Sequence, residues 1–175
     1  MSDTQWPRFQ VFVQERAGLP FEDAGSVHAS DSELALQNAR DVFARRPECA
    51  AMWVIPVEAI FSRTAEEIHL HGIEPVVEAP LGGKTYHVFC KSRSAGTQTQ
   101  VGAVESASPE GALKAALAKF SGKTTPFAWW VFPASAVTQS DPRDAGSLYA
   151  PAHDKGFRMS TDFHTHSVMR EVMKK

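Results

Sequence analysis

Cysteine is scarce in this 175-residue chain, which contains only Cys49 and Cys90. The two residues lie far apart and form no C-x-x-C pair, so the sequence offers no disulfide framework, zinc ribbon or thioredoxin-like redox motif. We therefore expect two free thiols in a reducing compartment.

Neither sign of charge is in excess, because 18 Lys and Arg oppose 20 Asp and Glu for a formal net charge of −2. A basic surface of the kind that binds nucleic acid or anionic membranes is not expected. No apolar run approaches the roughly 18 residues that a membrane-spanning helix requires, and the first residues do not resemble a secretory signal. The sequence predicts a cytoplasmic globular protein that binds neither nucleic acid nor membrane.

The chain does contain an internal repeat. A shift of 77 residues aligns Phe9–Ile60 with Tyr86–Val137 without a gap. Identical pairs include Val11/Val88, Phe12/Phe89, Gly25/Gly102, Val27/Val104, Leu36/Leu113, Phe43/Phe120, Trp53/Trp130 and Pro56/Pro133. Such a register of Trp, Pro, Gly and apolar residues indicates a duplication.

Each copy predicts the same order of elements. Alternating β-branched and aromatic residues favour a first strand at 9–13 and 86–90, a second at 25–29 and 102–106, and a third at 52–55 and 129–132. Between the second and third strands, apolar residues at 35, 36, 39, 42 and 43 share one face of a helix.

The start of this helix is signalled differently in the two copies. Ser30 and Glu33 fit a capping box, whereas Ser108 followed by Pro109 predicts a cap one position later in the alignment. A further short helix is predicted at 65–71.

These patterns predict an α+β fold of two tandem ββαβ modules, packed as a pseudo-twofold intramolecular dimer. A sheet covered by a helix on one face leaves its other face to be buried, and a second module can cover it. The predicted domains are copy 1 at residues 6–60, a linker at 61–83, copy 2 at 84–137 and a C-terminal extension at 138–175.

Copy 1 also contains a set of motifs in a fixed order. These are Trp6-Pro7, Val11-Phe12-Val13, Gly18-Leu19, Gly25-Ser26-Val27-His28-Ala29, Ala35-Leu36, Asn38-Ala39-Arg40-Asp41, Arg45-Arg46 and Trp53-Val54. With these motifs, about residues 6–60 resemble the phenylacetic acid degradation B family.

The resemblance implies a non-catalytic accessory or bridging subunit, without a cofactor of its own, in the multicomponent enzyme that epoxidises phenylacetyl-CoA. The partners it implies are a di-iron catalytic subunit, a scaffold subunit and a flavin and iron–sulfur reductase. Self-association into a homo-oligomer is left open.

The chain departs from the family pattern in two places. The stretch before the second strand, Pro20-Phe21-Glu22-Asp23-Ala24, is more acidic than in the family. Copy 2 has lost the polar signature of copy 1, with Glu105, Ala115, Leu117 and Ala118 at the positions of His28, Asn38, Arg40 and Asp41.

We interpret the polar signature of copy 1 as the partner-contact site. On a helix of unknown family, polar residues such as Asn38, Arg40 and Asp41 more often form a solvated face. The resemblance reverses that preference, because Arg is enriched at protein interfaces and an Asp–Arg pair also sets orientation. The predicted contact residues are His28, Asn38, Arg40, Asp41, Arg45 and Arg46.

Two alternatives remain open. The first is a small metal-dependent oxygenase that uses Glu66 and His69, spaced as E-x-x-H, or the histidine pairs His69/His71 and His164/His166. A di-iron site would need a second E-x-x-H, which the sequence lacks, and we therefore predict no catalytic, metal or cofactor site. The second alternative is a module that binds CoA or an aromatic acid between the two copies, although no glycine-rich phosphate loop supports it.

Overall fold

A computed structural model of the protein describes residues 6–44, 49–76, 83–122 and 126–154. Within these ranges the fold is α+β, as predicted, with one eight-stranded antiparallel sheet and four α-helices. The strands are β1 (Arg8–Gln14), β2 (Glu22–His28), β3 (Ala51–Pro56), β4 (Phe61–Thr64), β5 (Lys84–Lys91), β6 (Thr99–Ser106), β7 (Ala128–Pro133) and β8 (Thr138–Gln139). The helices are α1 (Ser32–Phe43), α2 (Ala65–Leu70), α3 (Pro109–Phe120) and α4 (Ala145–Asp154).

The start of α1 corrects one prediction. Its N-cap is Asp31, whose carboxylate accepts a hydrogen bond from the Leu34 amide at 2.8 Å, while the Ser30 hydroxyl donates to Asp31. The predicted capping box of Ser30 and Glu33 is therefore wrong. A carboxylate is both a strong acceptor and a favourable charge at a helix N-terminus, so Asp31 outcompetes its neighbour.

The start of α3 confirms the other prediction. Ser108 caps the helix by accepting from the Gly111 amide at 3.1 Å, and Pro109 is the first helical residue. Since Asp31 and Ser108 are aligned counterparts in the repeat, both copies begin their helix at the same position.

The sheet contains two strands that the sequence did not predict. Its order is β4-β7-β5-β6-β2-β1-β3-β8. Strand β4 follows copy 1 in the chain but pairs with β7 of copy 2, and β8 follows copy 2 but pairs with β3 of copy 1. We call residues 61–76 and 138–154 the crossing segments, because each leaves one copy and joins the sheet of the other.

The two copies meet in the sheet at β2 and β6. Glu22 pairs with Thr99, and the connection is extended by two backbone hydrogen bonds. The Asp23 amide donates to the Gln98 carbonyl and the Gln100 amide donates to the Phe21 carbonyl, each at 2.8 Å. The inner edge strand of each copy is thus joined to its counterpart.

Strand alternation divides the apolar residues into three clusters. One face of the copy 1 strands packs under α1 and includes Phe9, Val11, Met52 and Val54. The matching face of copy 2 packs under α3 and includes Tyr86, Val88, Trp129 and Val131. The third cluster is shared between the copies and contains Phe12, Phe21, Trp53, Ile55, Phe89 and Phe132.

The shared cluster explains why the strand residues are apolar on both faces. The rings of Phe12 and Phe89 are 4.4 Å apart, and Phe21 stacks on Trp53 at 3.8 Å. Each such buried side chain stabilises the fold by about 1.5–3 kcal/mol relative to an exposed one. The two copies therefore bury one common core in addition to the core beneath each helix.

Candidate functional site

The predicted contact residues His28 and Asn38 make hydrogen bonds within the chain. Asn38, on α1, donates from Nδ2 to the carbonyl of His28 at the end of β2, at 3.1 Å. His28 Nδ1 lies 2.7 Å from the carbonyl oxygen of Trp6, which can only accept, so this nitrogen carries the proton. These bonds link the start of the described chain, β2 and α1.

Arg40 and Asp41 form an ion pair on the outer side of α1. The Arg40 Nε and a terminal guanidinium nitrogen both lie 3.0 Å from Asp41 Oδ1. The Arg40 side chain is 28% exposed and that of Asp41 is 59% exposed. A solvent-screened pair of this kind stabilises a fold by about 1 kcal/mol at most. The fold therefore depends little on this ion pair, and both side chains can contact a partner. The other two predicted contacts, Arg45 and Arg46, lie outside the described residues.

Trp6 and Val42 are functional candidates that reasoning from the sequence missed. The Trp6 side chain is 60% exposed and that of Val42 is 48% exposed. The periodicity of α1 placed Val42 on the apolar face, where it was expected to be buried. The signal for Trp6 was its position before the first strand, outside the alternation that buries Trp53 (8% exposed).

A groove of about 400 Å³ lies at the end of the β1–β2 hairpin and is lined by Val13, Glu15, Leu19, Pro20, Glu22, Asp23 and Ala24. It includes most of the acidic stretch that departs from the family pattern. Burial raises the pKa of Asp23 despite hydrogen bonds from Gln10 and the Gly25 amide and the nearby charge of Lys91. The carboxylate of Asp23 is thus tied to the framework of β1 and β2.

His87 lies between the copies, where the repeat has Gln10 in copy 1. Its ring is 4.6 Å from that of Trp53 and 5.9 Å from that of Phe132. Its Nδ1 is buried and has no hydrogen-bond partner among the described residues. Burial lowers the pKa of this imidazole, because the aromatic surroundings disfavour the charged form.

We expect His87 to make the free energy of unfolding depend on pH. Because its pKa is lowered in the folded state, its neutral form supports the fold fully above the unfolded-state pKa of about 6.5, and this support is lost as pH falls towards the lowered value. Urea unfolding of the native protein and His87→Gln between about pH 5 and 7.5 should give curves that diverge on acidification. Asp23 is common to both proteins and cancels in the difference; parallel curves would refute the prediction.

The E-x-x-H pair lies on α2. Thr64 and Glu67 form a capping box at the start of this helix, with the Thr64 amide 2.8 Å from the Glu67 carboxylate, and Glu66 and His69 are exposed. In the described ranges no three His, Cys, Asp or Glu side chains are grouped to hold a metal ion. His164 and His166 lie outside these ranges.

The sequence model of the phenylacetic acid degradation B family matches residues 5–76 and 83–170. The chain belongs to this family. The match confirms the predicted resemblance and extends it to copy 2 and to both crossing segments.

A similar relative is the B subunit of the 1,2-phenylacetyl-CoA epoxidase of Escherichia coli (strain K12). It is 42% identical over 67 residues, which are 38% of this chain and 70% of the relative. No solved structure matches the chain. None of the helices described here is both long and apolar enough to cross a membrane.

Proposed function

We propose that the chain is a non-catalytic accessory subunit of a multicomponent monooxygenase that epoxidises phenylacetyl-CoA during phenylacetate catabolism. The observation that carries this proposal is the family match over both copies, together with the E. coli relative, whose name makes it the B subunit of that epoxidase. The proposed partners are the di-iron catalytic subunit and the scaffold subunit, with the reductase as a further candidate.

The roles of the polar side chains favour an interaction protein over an enzyme. Several polar side chains of the described residues serve the framework: Glu67 caps α2, Gln10 donates to Asp23, and Asn38 links β2 to α1. The charged pair of Arg40 and Asp41 faces solvent on a helix, where it can contact another protein. We place the partner contacts at His28, Asn38, Arg40 and Asp41, with Arg45 and Arg46 following in the sequence.

We further propose that the two copies form a pseudo-twofold intramolecular dimer. The order of the sheet supports this arrangement, since the copies contribute β2-β1-β3 and β6-β5-β7 outward from the β2–β6 junction. The crossing segments and the shared aromatic cluster support it as well. We retain residues 6–60 and 84–137 as the two modules, joined by residues 61–83 and followed by residues 138–175.

The length of the E. coli relative supports the two-module organisation. Since the 67 matched residues are 70% of that protein, it is little more than half as long as this chain. The relative is therefore long enough to contain one module of this chain but too short to contain both.

Co-purification from the native host tests the proposed function. The full chain, tagged at one end and recovered from cells grown on phenylacetate, should retain a di-iron subunit and its scaffold, as identified by mass spectrometry. Cells grown on another carbon source provide the control. The purified chain alone should hold no stoichiometric metal and turn over no phenylacetyl-CoA. Absence of both partners would contradict the proposal. One tightly bound metal per chain would also contradict it and would favour the small-oxygenase alternative.

A further inference from the structure

Trp6 presents an exposed indole on a backbone that is held at two points. Its own carbonyl is bonded to His28 Nδ1 at 2.7 Å, and the carbonyl of Pro7 accepts from the Ala29 amide at 3.1 Å. Yet the side chain is 60% exposed and contributes to none of the three apolar clusters of the described residues. The fold thus fixes the position of a large aromatic side chain without burying it.

The residues that fix Trp6 continue into an exposed surface of α1. Asn38 holds the carbonyl of His28, and Asp41 and Val42 follow Asn38 by three and four residues, so the three lie on one side of the helix. We call this set the Trp6 surface; it consists of Trp6, His28, Asn38, Asp41 and Val42. Arg40 lies on the other flank of the helix and is joined to this set by its ion pair with Asp41. The Trp6 surface has two exposed apolar side chains, a fixed polar link and an ion pair, the composition found at binding hot spots.

Copy 2 shows that the fold does not require this surface. Gly83 stands at the position of Trp6, and a Cβ there would lie 2.7 Å from the backbone nitrogen of Ser106, so no larger side chain fits without a shift. Glu105 and Ala115 replace His28 and Asn38, which removes both of the side-chain hydrogen bonds that hold the Trp6 surface together.

The flank of α3 that corresponds to Arg40 is covered from within the chain. Leu117, the counterpart of Arg40, is only 8% exposed and belongs to the cluster under α3. Ile68 and Ile73 of the first crossing segment pack against that cluster, and the Val76 amide donates to the Lys114 carbonyl at 3.2 Å. The position of Arg40, which is charged and partly exposed in copy 1, is thus apolar and buried in copy 2, although residues of α4 also pack against the cluster under α1.

We propose that the Trp6 surface is the one docking surface of its kind on the described part of the chain, and that Trp6 anchors it by inserting into an apolar pocket of a larger protein subunit. The paired charges of Arg40 and Asp41 require that the rim of this pocket offer a carboxylate and a cation in matching positions. This inference rests on the proposed function and deepens it. It assigns one copy of the partner to each chain, although the chain contains the family module twice.

Binding measurements with purified subunits test the anchor. The di-iron and scaffold subunits from the same organism, expressed together, are immobilised and titrated with the full chain. Trp6→Ala should raise the Kd at least about 30-fold, as expected for a hot-spot aromatic residue. His28→Ala, which releases the Trp6 backbone, should raise it by a smaller factor.

Phe127→Ala provides the matched control, because Phe127 is an aromatic residue of copy 2 that is 44% exposed. It should leave the Kd within about twofold of the native value. Thermal unfolding should show that both aromatic variants remain folded, since neither ring is in a core cluster. If the native chain binds and Trp6→Ala binds equally well, the anchor is wrong while the proposed function stands; if the native chain does not bind, the proposed function itself fails.

Native mass spectrometry of the complex tests the number of docking surfaces. One partner-binding event per chain is expected, and at a concentration near the native Kd, Trp6→Ala should reduce the complex to a minor fraction. Two equivalent partners on one chain would overturn the inference, and so would a homodimer of the free chain that disappears in Trp6→Ala, because a second copy would then be the occupant.

Discussion

Replacing Phe12 with alanine is expected to lower the free energy of unfolding by about 3–5 kcal/mol, as for other fully buried aromatic residues. Phe12 has no exposed surface, and its ring lies 4.4 Å from that of Phe89 and 5.4 Å from that of Phe132. Both neighbours belong to copy 2, so the change opens a cavity between the copies. The loss of stability should therefore affect both copies together.

Calorimetry and urea unfolding of the full chain measure this effect. The native protein and Phe12→Ala should each unfold in a single transition, because the copies share the cluster that contains Phe12. Phe127→Ala removes a ring of the same size from an exposed site and should cost no more than about 0.5 kcal/mol. A Phe12→Ala profile in which copy 2 melts separately at its native temperature would argue against a common core.

The elements of each copy could be predicted because their residues follow local rules. Val11, Phe12, Trp53 and Val54 alternate between two buried faces, which identified the strands, and the stripe that includes Ala35 and Ala39 identified α1. Because the sequence is repeated, the same pattern of strands and helix could be recognised in each copy separately. The helix cap was misplaced by one residue because Ser30 and Asp31 are both good capping residues and sequence spacing alone favoured the first.

The helix at 65–71 was predicted, but the strands of the crossing segments and their pairing could not be predicted from local patterns. Strand β8 contains only Thr138 and Gln139, and β4 contains Phe61–Thr64, too few residues for alternation to be recognised. Their partners lie 64 to 86 residues away in the chain, and such pairing is set by tertiary packing.

The candidate site was predicted in part. The polar residues of copy 1 are grouped at one end of the fold, but His28 and Asn38 bond to the chain itself, which their residue types alone do not reveal. The exposure of Trp6 and Val42 depends on which segments cover α1. Coverage is a tertiary property that residue type and spacing do not reveal.

Tyr149 joins the second crossing segment to copy 1, and we expect Tyr149→Ala to lower the free energy of unfolding by about 3–5 kcal/mol. Its ring is 5% exposed in the cluster under α1. Its hydroxyl donates to Ser140 Oγ at 3.0 Å, and the same oxygen accepts from the Met52 amide of β3 at 3.1 Å. Burial of the phenol also raises the pKa of Tyr149, so it stays protonated and able to donate.

Two further variants separate packing from hydrogen bonding at this contact. Tyr149→Phe keeps the ring and should cost about 1–2 kcal/mol, while Ser140→Ala should cost a similar amount because it leaves the Met52 amide without its acceptor. In the double variant the two losses should be less than additive, since both remove the same bond.

Urea unfolding gives these free energies, and hydrogen exchange gives a local readout. The Met52 amide should exchange faster in Ser140→Ala than in the native protein. Leu70→Ala is the control in the other crossing segment, because that side chain is 79% exposed and its loss should cost no more than about 0.5 kcal/mol. If Tyr149→Ala also costs this little, residues 138–154 do not hold copy 1 together, and the segment is an appendage to a core that is complete without it.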